Sequence, residues 1–98
     1  MNKLYLISQD RNNDYDSYDS AVVSAESPED ARKIHPSPFV THVTNDEWMG
    51  TYSKGGEYHQ DSHDWVKYSD IDCITVEYLG ETEKERGVIL TSFNAGWN

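Results

Sequence analysis

The sequence holds one cysteine, Cys73, among its 98 residues. A lone thiol excludes a disulfide framework and any zinc site built on cysteines. Basic residues are also scarce: 8 Lys and Arg stand against 18 Asp and Glu, a formal net charge of -10. A protein that neutralises phosphates needs the opposite balance, so a basic nucleic-acid binder is excluded. No run approaches the ~18 apolar residues of a membrane-spanning helix. The N-terminal apolar stretch Leu4-Tyr5-Leu6-Ile7 is too short for a secretory signal. Gly55-Gly56 opens no phosphate-binding loop, because neither a Gly-Lys-Ser/Thr run nor a clear helix follows it.

Hydrophobic residues make up 36% of the chain, below the usual ~45–50%, although that reference also counts glycine. Low hydrophobicity with high charge leans toward disorder, but 3 Trp, 7 Tyr and 2 Phe supply a core. The length fits a single domain over residues 1–98. The acids divide evenly, nine in each half, and form no block of five like charges. The charge therefore belongs to the folded body rather than to a tail. A body of this size exposes about 5,700 Å², or roughly one acid per 320 Å². Spread evenly, that density is a poor copy of DNA, so mimicry requires the acids to gather on one face.

Residues 3–8 read as a first strand, ended by the turn formers of 9–14. Residues 20–25 read as its hairpin partner. Ser27-Pro28-Glu29-Asp30 is a helix start. Ser27 can cap the Asp30 amide, Pro28 fits the first position, and the two acids suit the positive end of the helix dipole. The helix is expected over about 28–34, with Ala31 and Ile34 facing the sheet, Arg32 and Lys33 in the last turn, and Pro36 and Pro38 as the stop. Residues 39–70 carry no clear pattern. Within them, 39–43 suits a short strand and 47–49 a helical turn or an edge strand. Residues 73–79 alternate, with Ile74, Val76 and Tyr78 on one side. A charged turn from Gly80 to Gly87 leads to a last strand, 88–93, expected antiparallel to 73–79. The order β-β-α, irregular middle, β-β predicts an α+β domain: a small, mostly antiparallel sheet with one short helix.

Five groups of residues carry possible chemistry. His59 and His63 stand at i and i+4, a spacing zinc sites use on a helix, and Asp64 can add an oxygen. The plainer reading is a polar loop with exposed histidines, and no metal or other cofactor is expected. Asp14, Tyr15, Asp16, Tyr18 and Asp19, with Asp10 just before them, make no complete calcium loop, because Asp19 and Ala25 stand where Gly and Glu are required. They read instead as a contact surface: tyrosine gives area at small entropy cost and aspartate meets Arg or Lys. The plainer alternative is a solvated hairpin loop. Glu81, Glu83 and Glu85 form a second acidic set in the 81–85 turn. Cys73 opens an expected core strand and reads as a small buried apolar residue rather than a nucleophile. Of Trp48, Trp65, Trp97, Tyr52, Tyr58 and Tyr68, most read as core, while some can rim a groove for a base. A nucleotide pocket requires Arg32, Lys33 or Lys54 to converge on it.

The segments Leu4–Gln9, Tyr15–Val23, Ser27–Arg32 and Ser92–Gly96 give the chain a further property. It resembles a group of short acidic proteins from bacteriophage and prophage genomes, to which no established activity attaches. The resemblance implies a bacterial cytoplasm as the working compartment and, by analogy, a non-enzymatic protein that binds host proteins. The expected function is inhibition of a host nucleic-acid-handling or defence protein. Carboxylates of the 10–19 loop and the 81–85 turn meet an Arg/Lys-lined surface, with Tyr15 and Tyr18 as the packed centre. The alternative is a small-molecule (nucleotide) or metal-dependent protein using His59, His63 and Asp64.

Overall fold

A computed structural model describes residues 1–10, 17–59 and 65–94. The fold is α+β, with two antiparallel sheets and short helical segments. The larger sheet contains β1 (Asn2–Ser8), β2 (Ser17–Ala25), β6 (Thr75–Thr82) and β7 (Gly87–Asn94), in the order β6-β1-β2-β7. The smaller contains β3 (His42–Thr44), β4 (Glu47–Thr51) and β5 (Glu57–His59), in sequence order.

The first hairpin forms where the alternation places it. Tyr5 and Ile7 on β1 are buried, and their β2 partners Val23 and Ala21 are buried with them. Leu4, Leu6 and Val22 take the opposite face and are half-buried. Side chains directly across an antiparallel pair share one face, so a single register decides both sides of the sheet. The Tyr5 ring meets that of Tyr78, itself exposed, edge-on at 5.9 Å.

The helix α1 (Pro28–Arg32) starts as the sequence predicts: the Ser27 hydroxyl accepts from the Asp30 amide at 3.1 Å. It ends two residues early. The Lys33 amide bonds to the Asp30 carbonyl, three residues back, which tightens the last turn before Pro36. Ala31 and Ile34 are buried as expected. Arg32 reaches from the helix to the Ile74 carbonyl at 3.4 Å.

One expected pairing is not formed. β6 and β7 are not hairpin partners; they lie at opposite edges, against β1 and β2 respectively. Three strand intervals separate them, about 14 Å. Residues 83–86 cross that distance, and five Cα steps reach about 17 Å, so the connection runs nearly taut over the end of the β1–β2 hairpin. Its middle is tied to both strands beneath: the Lys84 carbonyl accepts from Asn2 Nδ2 at 3.2 Å and from Ser24 Oγ at 2.9 Å. Gly80 through Thr82 accordingly belong to β6 rather than to a turn.

The middle of the chain is the second sheet, not an irregular loop. Gly50 on β4 lets the Tyr58 ring of β5 lie directly on the backbone. A Cβ there would fall 2.3 Å from Tyr58 Cζ and 2.6 Å from the Phe39 carbonyl oxygen. A 3-10 helix, Tyr68–Cys73, precedes β6. Cys73 closes that helix and is half-buried, rather than opening a core strand. The two sheets share one core. Trp48 of β4 and Trp65 are buried around His35, at ring distances of 5.1 and 6.3 Å. Trp48 Nε1 donates to the Val66 carbonyl at 2.9 Å, and its ring meets Tyr68 edge-on at 5.1 Å.

Candidate functional site

Among the described residues, the expected contact residues lie at two ends of the larger sheet. Asp10 and Asp19 lie together, because the Gln9 amide bonds to the Asp19 carbonyl at the loop end of the first hairpin. Glu81, Glu83 and Glu85 lie at the other end, where Lys3 pairs with Glu81 across β1 and β6. Asp10, Asp19, Glu81, Glu83 and Glu85 are all exposed. Tyr18, expected as an exposed anchor, packs against the core instead, and its carbonyl accepts from Gln9 Nε2 at 2.9 Å. Asp14, Tyr15 and Asp16 lie outside the described residues.

Sequence reasoning missed a further contribution to the second acidic end. The start of α1 follows β2 at that same end of the sheet, so Glu26, Glu29 and Asp30 join the 81–85 set. Asp30 holds the arrangement together. Its carboxylate accepts Arg86 Nε at 2.8 and 3.0 Å and the Glu26 amide at 3.1 Å.

The two acidic ends are connected by β7. This edge strand begins across from Ser24, beside the 83–86 connection, and ends across from Tyr18 and Ser17. Its eight residues, Gly-Val-Ile-Leu-Thr-Ser-Phe-Asn, carry no charge. Val88, Ile89 and Leu90 are 39, 39 and 59% exposed. The other edge, β6, carries Glu77 and Glu81. Charges on an edge strand discourage pairing with further strands; β7 lacks that protection over about 24 Å of extended chain.

A cavity of about 620 Å³ opens between the end of α1, the 36–41 segment, the second sheet and the start of β7. Its walls include Pro36, Val40, Val43, Trp48 and Val88, and its charged members among the described residues are Lys33 and Arg86. Among the described residues, no acid is part of its lining. His35 also lines it, and burial holds this imidazole at about 4, below its ordinary 6.5. The Ser37 amide donates to His35 Nδ1 at 2.9 Å, which fixes the neutral tautomer with its proton on Nε2. His35 therefore brings no charge to the cavity near neutrality.

His42, at the cavity wall, is engaged through both ring nitrogens. Thr41 Oγ1 lies 2.8 Å from Nδ1, and Glu57 Oε1 lies 2.6 Å from Nε2. The order hydroxyl, imidazole, carboxylate follows that of a hydrolase triad. Here Thr41 also bonds Thr51 Oγ1 at 3.1 Å, and the Glu57 side chain is 51% exposed. The contacts tie β3 to β5 across β4, which is a structural use of the same groups.

For the histidine pair, His59 is the last residue of β5. The His59 side chain, His63 and Asp64 lie outside the described residues. Among the described residues no group of three or more His, Cys, Asp or Glu is placed to hold a metal ion. Among them, also, no helix is long and apolar enough to cross a membrane. Comparison of the chain with protein-family models, with curated proteins and with solved structures finds no match.

Proposed function

We propose that this chain is a protein-binding module whose partner adds an extended segment to the β7 edge. The supporting observation is that, among the described residues, β7 is an uncharged edge strand with exposed Val88, Ile89 and Leu90, between two acidic ends. Main-chain hydrogen bonds along an edge give affinity, and side-chain contacts give specificity. A segment with an apolar middle and Arg or Lys at both ends fits it. Asp10 and Asp19 meet one end; Glu81, Glu83 and Glu85 meet the other.

A partner with a basic surface is the natural counterpart of a chain with net charge -10. Proteins that handle nucleic acid carry such surfaces, and a bound acidic module competes with DNA or RNA for them. This supports the reading as an inhibitor of a host nucleic-acid-handling or defence protein in a bacterial cytoplasm, in line with the resemblance to short acidic phage proteins. The acids act chiefly on the rate of encounter.

The test is capture from a bacterial lysate, identification by mass spectrometry, and kinetics with the purified partner. Leu90→Lys is expected to speed dissociation, and Glu83→Lys/Glu85→Lys to slow association by about tenfold at low salt. The module is also expected to displace nucleic acid from the partner. Association that ignores both salt and the double charge reversal would refute the electrostatic part. Unchanged dissociation in Leu90→Lys would remove β7 from the contact.

A further inference from the structure

We infer that the cavity between α1 and the second sheet binds a small organic anion: one phosphate or carboxylate head on an apolar or aromatic body. The argument starts from charge. Acids outnumber bases 18 to 8 in the chain, yet among the described residues the lining contains Lys33 and Arg86 and no acid. Lys33 is exposed, and its ammonium group makes no ion pair among the described residues.

Arg86 is held in a form that leaves most of its donors available. Asp30 takes Nε alone, with both carboxylate oxygens, at 2.8 and 3.0 Å. Nη1 and Nη2 make no hydrogen bond among the described residues. A guanidinium fixed at Nε and open at its two outer nitrogens presents a fork that matches the two oxygens of a carboxylate or phosphate. Asp30 is thus a positioning residue: it holds the Arg86 guanidinium by Nε and is not among the described lining residues.

The rest of the wall suits the body of such a ligand. Pro36 and Trp48 are buried, Val40 and Val43 are half-buried, and Val88 closes the side at the start of β7. Ligand sites are commonly mostly apolar with a few placed polar groups, and about 300–1,000 Å³ in volume. The 620 Å³ here falls within that range. His42 is part of the wall rather than a donor to the ligand, because Thr41 and Glu57 already engage both its nitrogens.

The experiment separates head from body. Titration calorimetry uses 1-naphthyl phosphate and 1-naphthoate, which share a body and differ in head. Neutral 1-naphthol supplies the body alone, and inorganic phosphate the head alone. Both anions are expected to bind with Kd below about 1 mM, and 1-naphthol at least about tenfold more weakly. Lys33→Glu is expected to weaken the anions by about tenfold or more, and Lys33→Arg to restore them. Val88→Trp, which fills the wall, should abolish binding of either anion. Far-UV circular dichroism of each variant confirms the fold; Lys33 is exposed, so its substitutions test charge without disturbing the core. Equal binding of 1-naphthol, no effect of Lys33→Glu, or no binding of either anion at several times about 1 mM would each overturn the inference. Binding of inorganic phosphate as tight as 1-naphthyl phosphate would also overturn it, because the body would then contribute nothing.

Discussion

His35 makes the stability of this protein depend on pH below neutrality. The residue is 4% exposed, between the rings of Trp48 and Trp65. Burial first, and then the Ser37 amide pointing at Nδ1 from 2.9 Å, oppose protonation of the ring. The folded value of about 4 lies below the unfolded 6.5. The unfolded chain therefore binds the extra proton between those values, and the folded state loses stability as pH falls through them. The contribution is fully present above 6.5 and has largely gone at 4. Integrating over the drop from about pH 7 to about pH 5 gives a loss of about 2 kcal/mol. Urea unfolding at the two pH values measures it, with His35→Asn as the reference, since an Asn oxygen can still accept from the Ser37 amide. The wild type is expected to lose about 2 kcal/mol more than the variant. Equal losses, or a ring resonance titrating near the ordinary 6.5 in NMR, would refute the reasoning.

Two substitutions test the packing at other points. Gly50→Ala places a methyl group 2.3 Å from Tyr58 Cζ and 2.6 Å from a backbone oxygen; urea unfolding should show a loss of about 1–3 kcal/mol, and an unchanged midpoint would mean that β5 lifts away at no cost. Asp30→Ala removes the Arg86 anchor and the acceptor of the Glu26 amide. Because the pair is partly exposed, a loss of about 1 kcal/mol is expected, and a double-mutant cycle with Arg86→Ala should return a positive coupling that shrinks in high salt.

The first hairpin and the helix start were legible because local chemistry alone decides them. Alternation over 3–8, and Ser27 followed by Pro28 and two acids, each admit one arrangement. The position of β7 was not legible, because it depends on a tertiary choice. A four-residue connection ordinarily makes a hairpin, and only the bonds from Asn2 and Ser24 to the Lys84 carbonyl reveal that it crosses the sheet. The second sheet was hidden for a different reason. Its strands have three, five and three residues, too few to display a period, and Gly50 looks like a break rather than a seat for an aromatic ring. Tyr18 and Asp19 are neighbours in one polar, tyrosine-rich stretch, but strand geometry sends one toward the core and leaves the other exposed.

Net charge is the property most easily read from this sequence, and it constrains long partners and small ligands differently. A duplex meets many phosphates over tens of ångströms, so the total of -10 opposes it. A ligand inside a cavity responds to the groups within about one screening length, roughly 8 Å at physiological salt. Among the described lining residues the charged side chains are Lys33 and Arg86, with Asp30 bonded to Arg86 from outside the lining. The fold produces this local difference through topology. The crossing connection that places Glu83 and Glu85 outward ends on Arg86, and Gly87 and Val88 then enter the cavity wall as β7 begins. One short segment thus runs from exposed acids to a cavity wall whose charged lining residues, among those described, are Lys33 and Arg86. For that reason an overall acidic composition argues against DNA binding and leaves the binding of a small anion fully compatible with the same chain.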